Sequence, residues 1–524
     1  MTARQLPPRP SLDQLRRQAK ELLQRAREGK PDALARIRAL PAFATHDADA
    51  RLQASLALHD AQSAVAREYG FSSWNALRER VEELTLEHDD AGDEFVRAAT
   101  DGRPDRAERL LSLHPGMASA NFHAALVLGD DAAIATRLER DPSLATRIGG
   151  VRGWQPLHYL CYTSLVRGSS GRESGVVAIA RRLLVNGADA NLGFPWRHHE
   201  VFRPVLWGAV SVVRSLPLAR VLLENGANPS DGVTLTIAAS GGNIDALELL
   251  EEFGVDPDGP WATDGSTALY AMLQWSESVD AAKWLIEHGA AADTTYAANG
   301  ETPLHVVAAR WGTELADALV KRGADISRRR SDGRTPFAVA LLNGNDGVAQ
   351  WLLDHGASED VEDVDRLVAA CSRGDSATAE AMLGEQPELR VRIGPEHYGA
   401  LYRAAERNEV AALEALLSCG FDPNRGDDSI GMNALHKAAM AGWPDAVRVL
   451  LAHGASVTAR DREFNATALV GAAEGSRHPR PGTDHATVGR ILLDAGSPTD
   501  WDESDEPAEG VLEILAEWQR APAR

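Results

Sequence analysis

The residues best suited to chemistry gather in the segment FPWRHHEVFRP at 194–204. Trp196, Arg197, His198, His199, Glu200 and Arg203 bring together an aromatic face, cations, a carboxylate and two rings that titrate near neutrality. Adjacent histidines point in different directions on most backbones, so HHE lacks the i, i+4 spacing with which HExxH holds a metal ion. A general base built on His198 or His199 with Glu200 would need a nucleophile, and none is identified. Docking of a peptide or a small anion suits the segment better, and an ordinary long hairpin accounts for it most simply. Elsewhere the chain has no GxGxxG after a strand, no phosphate-binding GKS/T loop and no GxSxG. No catalytic residue, cofactor or metal is therefore expected. Cys161, Cys371 and Cys419 are scattered, odd in number and without zinc spacing, which points to buried thiols in a reducing compartment.

The elements that must position such residues are legible at 299–356. NGETPLHVVAARWGTELADALVKRGADISRRR and SDGRTPFAVALLNGNDGVAQWLLDHGA fall into register. Gly300 lies on Gly333, Thr302 on Thr335, Pro303 on Pro336, Leu304 on Phe337 and Gly323 on Gly356, each offset by 33 residues. Thr302 can cap a helix, and Pro303 fits the first helical position, where no amide donor is needed. Leu304 faces the core, and Ala308 and Ala309 let neighbouring helices approach. Gly323 falls just past a second helix, where a left-handed residue costs glycine little. The period and the T-P-L-H-x-A motif resemble the ankyrin family. The resemblance implies an all-α ankyrin-repeat solenoid of helix-turn-helix units joined by short β-hairpins. It also implies that His158, His305 and His436, at the motif's histidine position, bridge neighbouring repeats by hydrogen bonds.

About twelve such units are expected. The first two, around FVRAATDG (95–102) and FHAALVLGD (122–130), lack TPLH, as terminal units that face solvent often do. WQPLHYLCY from Trp154 restores the motif, and the Gly/Ser-rich VRGSSGRESG at 166–175 predicts a mobile loop between its two helices. LVAACSRGD (367–375) reverts to the form without TPLH. The array is accordingly divided into 93–362 and 363–498, with a capping helix and tail at 499–524 carrying Val511, Leu512, Leu515 and Trp518. Residues 1–88 do not follow the repeat. Ser11 to Gln14 reads as a capping box, and Leu15, Ala19, Leu22 and Ala26 share one helical stripe. With SLDQLRRQAKELL near its start and AREYGFSSWNALRERVE near its end, this part resembles the helical leader before ankyrin arrays in a set of bacterial proteins. Its first thirty residues carry basic side chains in excess, as a solvated helix face or a surface for an acidic partner.

The resemblance also implies where a ligand would lie: on the concave face, at the two residues following each Ala-Ala pair. These include Val127 and Leu128, Tyr162 and Thr163, Val210 and Ser211, Ser240 and Gly241, Gln274 and Trp275, Ala309 and Arg310. The first half of the array thus offers apolar residues at positions that water should wet, unless inserted loops cover them. The candidate binding residues are Tyr159, Tyr162, His199, Arg203, Trp207, Trp275 and Arg310. The function expected is a non-catalytic scaffold that binds a protein partner. The alternative is an enzyme or small-ligand receptor with a pocket at 154–275. A formal charge of −22 argues against nucleic acid and against an anionic membrane surface, since both attract cationic proteins. The start has no apolar signal region and no apolar run is long enough to span a bilayer, so a cytoplasmic monomer is expected.

Overall fold

The computed structural model describes residues 4–40, 56–195, 202–259, 266–427, 430–476 and 480–498. Twelve helix pairs follow one another, from His88–Thr100 with Pro104–Leu113 to Ala468–Gly475 with His485–Asp494. The architecture is all-α. In the repeat at 299–323 each residue of the motif acts as its chemistry requires. Pro303 opens the helix Pro303–Arg310, Leu304 is wholly buried, and Gly323 ends the second helix at φ 97°. A single pair would leave its apolar stripe wet, and stacking upon neighbours removes it from water.

Two compact units are present. One comprises Glu83–Val339 and Gly347–Ser358. The other gathers the residues up to Glu82, Ala340–Asp346 and the residues from Glu359 onward. Within the latter, the helices Leu12–Arg27, Pro31–Arg38, Leu58–Glu68 and Trp74–Thr85 share their own core of Leu15, Leu22, Ile37, Val65, Leu77 and Val81. Ser11 caps the first of them through Gln14 N–H at 3.3 Å. The basic excess at the start is partly paired, as in Arg25–Asp32 at 2.7 Å and Arg4–Glu68 at 3.3 Å.

Three expectations change. Among the described residues only one hairpin forms paired strands, Gly193–Pro195 with Phe202–Pro204, antiparallel with Phe194 opposite Arg203. Other tips close through single backbone bonds, such as Arg330 N–H to the Arg334 carbonyl at 2.9 Å, and Asp and Asn side chains tie several tips to the next repeat. Asn191 Oδ1 accepts from Asn228 N–H at 2.8 Å, Asp258 from Ala291 at 2.7 Å, and Asn424 from Ser456 at 2.7 Å. Such side chains satisfy the backbone where no ladder runs.

The segment 166–175 is not a loop throughout, because the helix Ser170–Val185 takes up its second half. Gly175 is there for contact: a Cβ on it would stand 1.9 Å from the Gly129 carbonyl oxygen. Its glycine therefore marks a close approach of backbones instead of mobility. The fourth pair departs from the repeat as well. Val205–Trp207 runs into a wide π-type segment, Gly208–Val213, which ends at Arg214 in the left-handed region at φ 58°. The candidates Trp196, Arg197, His198, His199 and Glu200 lie outside the described residues, as does the helix expected at 499–524.

Candidate functional site

The hairpin at 193–204 roofs the third and fourth helix pairs with rings. Phe194 stacks on Trp154 with centroids 5.3 Å apart, and Tyr162 packs at 4.9 Å from Phe194 and 5.7 Å from Trp207. The Tyr162 hydroxyl shares its proton between the carbonyl oxygens of Arg203 at 3.2 Å and Pro204 at 3.1 Å. Burial pushes its pKa well above the usual phenol range. Arg203 lays its guanidinium 4.4 Å from the centre of the Trp207 ring. Tyr159 is fully buried, donating to the Gly149 carbonyl at 2.9 Å and accepting from Arg152 N–H at 3.0 Å.

The wetting expected at Tyr162 is therefore corrected: it is buried, with Thr163, Val127 and Val210, and the candidate Trp207 is buried too. The cause is the roof. The hairpin folds back and lays Phe194 on Trp154 and Tyr162, and Arg203 on Trp207, leaving Phe202 exposed, while Tyr159 braces the turn at 149–154. His199 is not described.

The next pairs are different. Trp275 closes the helix Ala268–Trp275 and is 85% exposed. Immediately after it, Ser276 Oγ donates to the Ser240 carbonyl of the preceding repeat at 2.9 Å, and Gly241 beside that carbonyl is exposed. On the following repeat Arg310 is exposed and donates to the carbonyls of Gln274 and Ser276. Trp311 turns inward, with its indole N–H on the Leu273 carbonyl at 2.9 Å. Trp275 and Arg310 are thus held side by side by bonds between repeats, over a third repeat that is small at this point.

These staples form a series that the sequence reading missed. The last carbonyls of a helix have no partner within it, and the next repeat supplies one. Thr163 Oγ1 reaches the Val127 carbonyl at 3.1 Å, Ser372 Oγ the Leu342 carbonyl at 3.1 Å, and the Trp443 indole the Glu406 carbonyl at 2.8 Å. A hydroxyl or indole one or two residues after each first helix is the signal that could have shown it.

Beneath Gln274 lies a buried ionic network. Glu301 accepts from the Tyr270 hydroxyl at 2.8 Å and from Gln274 Nε2 at 3.1 Å, and pairs with Arg330 at 2.7 Å. Arg330 and Arg334 both hold Asp332, at 2.5 and 2.9 Å. Burial works to raise the Asp332 pKa, but the bond and charge of Arg330 outweigh it and bring it down to about 2. Two carboxylates face two guanidiniums, so the network fixes the repeat tips without leaving a net charge beside Gln274.

The motif histidines divide. His305 Nε2 bonds the Arg334 carbonyl of the next repeat at 3.1 Å, and His436 Nε2 the Ala466 carbonyl at 3.1 Å. Both bridge repeats as the resemblance implied. His305 Nδ1 meets the Thr302 hydroxyl at 2.8 Å and N–H at 3.2 Å. Burial lowers its pKa to about 4. At His158 neither ring nitrogen has a hydrogen-bond partner among the described residues, and its ring packs instead on Trp154 and Phe194.

Comparison with known proteins places these repeats. A family model of ankyrin repeats matches three times, at residues 275–363, 367–461 and 401–497. Rabankyrin-5 of Mus musculus is 29% identical over 161 residues, which is 30% of this chain and 14% of that protein. The potassium channel AKT2/3 of Arabidopsis thaliana is 30% identical over 162 residues, 29% of this chain and 19% of the channel. A transient receptor potential cation channel subfamily A member 1 homolog of Caenorhabditis elegans is 26% identical over 196 residues, 37% of this chain and 15% of its own length. This chain therefore spans less than a fifth of each of these eukaryotic relatives. Residue pattern, paired helices and these matches together show that the chain carries ankyrin repeats.

Proposed function

We propose that the chain is a non-catalytic protein-binding scaffold whose partner is anchored at Trp275 and Arg310. Ankyrin repeats are in general protein-protein interaction modules and in general not enzymes. The observation that carries the placement is the exposure of Trp275, 85%, next to an arginine already held by backbone carbonyls. Interface energy concentrates on a few tryptophan, tyrosine and arginine anchors. A side chain held before binding loses less entropy on binding. Trp154, Tyr162, Phe194 and Trp207 pack on one another, so these four rings lend the reading with a small-ligand pocket little free aromatic face.

The test is peptide display on the full chain, followed by titration of the best binder. Trp275→Ala and Arg310→Ala should each weaken it by about 1–3 kcal/mol, roughly 5- to 150-fold. Glu406→Ala with Arg407→Ala should leave affinity near wild type. If that double variant abolishes binding and Trp275→Ala binds normally, the anchor lies elsewhere.

A further inference from the structure

Cys371 and Cys419 are 48 residues apart in the chain, yet their Sγ atoms stand 2.9 Å from one another. Cys371 belongs to the helix Asp363–Ser372, and Cys419 caps the helix Val410–Ser418 of the next pair. A disulfide brings two sulfurs to about 2.05 Å, so bonding them asks for a closure of only about 0.9 Å. Cys419 also lines a surface cleft of about 470 Å³, together with Arg390, Glu380, Ser418 and His453. All three thiols are buried, and Cys161 has no such sulfur contact among the described residues.

The two sulfurs are not equivalent. Cys419 is held below the ordinary thiol range, first by its hydrogen bond with the Cys371 sulfur and then by the charge of Arg390, against the effect of burial. Cys371 is pushed far up by the same bond and by burial. Cys419 is thus the sulfur that ionises and the one on the cleft, and nucleophilic sulfur chemistry needs the thiolate.

We propose that Cys371 and Cys419 form a peroxide-responsive dithiol, in which Cys419 attacks a small hydroperoxide entering the cleft and Cys371 resolves it. The Cys419 thiolate attacks one peroxide oxygen. An S–O bond forms as the O–O bond breaks, leaving a sulfenic acid and an alkoxide that takes up the proton Cys419 had shed. The Cys371 sulfur then attacks the sulfenic sulfur. The S–S bond forms, the S–O bond breaks, and hydroxide leaves with the Cys371 proton as water. In sum, two thiols and one hydroperoxide become a disulfide, an alcohol and water; the sulfurs lose the two electrons that the peroxide gains. Cellular thiols reverse it by exchange. The closed form would tie two neighbouring helix pairs together covalently.

The test uses the full reduced chain with a small excess of hydrogen peroxide, quenched and alkylated after denaturation. Mass spectrometry should show one alkyl group where the unoxidised chain takes three, besides the loss of about 2 Da for the two hydrogens removed. Peptides bearing Cys371 and Cys419 should be linked, Cys161 should be alkylated throughout, and dithiothreitol should restore the starting mass. In Cys371→Ser, Cys419 should accumulate as a sulfenic acid that dimedone labels; in Cys419→Ser, Cys371 should stay unlabelled at the same dose. The proposal is overturned if both thiols of the wild-type chain stay alkylatable while glutathione in the same tube is oxidised. Oxidation of Cys161 at an equal rate overturns it as well. Dimedone labelling of Cys371 in Cys419→Ser overturns the assignment of the attacking sulfur. Because the first measurement is on the wild-type chain, a variant that fails to fold does not shield the idea.

Discussion

His305 should make its repeat sensitive to mild acid. The side chain is wholly buried, with Nδ1 on Thr302 and Nε2 on the Arg334 carbonyl, an arrangement that fits the neutral ring. Burial, and after it the neighbouring Arg330 charge, lowers its pKa from 6.5 to about 4. The unfolded chain takes up a proton as the pH falls through 6.5, whereas the folded chain resists until about 4. Stability is therefore complete above pH 6.5, falls between 6.5 and 4, and is flat below. The whole window, 6.5 − 4, corresponds to about 3 kcal/mol at roughly 1.4 kcal/mol per pH unit. Between pH 7.5 and pH 5 the loss is about 2 kcal/mol. His305→Gln removes the titration while a glutamine at this helical position can still reach back to the cap. Hydrogen exchange over 303–342 and urea denaturation, both at pH 7.5 and pH 5, should show wild type losing about 2 kcal/mol more than the variant. His158 and His436 are also lowered by burial, but they are present in both proteins and cancel. Equal losses in the two proteins would refute the argument.

Two further outcomes are expected from the packing. Leu304→Ala empties a fully buried site and should cost about 2–5 kcal/mol, with faster hydrogen exchange near 267–354 and little change at 433–454, since repeats stabilise their neighbours. Gly175→Ala drives a Cβ onto the Gly129 carbonyl and should cost about 1–3 kcal/mol or more in a thermal or denaturant melt. Gly171→Ala, four residues earlier in the same helix with nothing within 4 Å of the added carbon, should instead leave stability unchanged or raise it by about 0.5–1 kcal/mol.

The register of Gly300 on Gly333 and Thr302 on Thr335 was enough to assign the helix pairs, because the residues that start and end the helices act on their own backbone. Pro303 starts a helix and Gly323 ends one by local sterics alone, and the structure has both. The roles of His305 and His436 followed from the family pattern. The candidate site was only partly legible. Tyr162 and Gln274 hold the first place after an alanine pair or its counterpart and Thr163 and Trp275 the second, yet Tyr162 and Thr163 are buried while Trp275 is exposed. What separates them is the hairpin at 193–204, whose fold-back onto Tyr162, Trp154 and Trp207 no local pattern contains.

The same limit explains 166–175 and the cysteines. Gly175 looked like loop chemistry because glycine has two uses, freedom of the backbone and absence of a side chain, and only the approach of Gly129 shows which is in play. Cys371 and Cys419 looked scattered because the distance that matters is 2.9 Å through space and not 48 residues along the chain. By itself the sequence determined the repeat, its period, its helix limits and its all-α class, which rest on short-range sterics, capping and apolar spacing. The tertiary structure alone decided which aromatic rings are wet, which glycine is a contact and which thiols meet. Those depend on what a neighbouring repeat or a returning hairpin places against each residue.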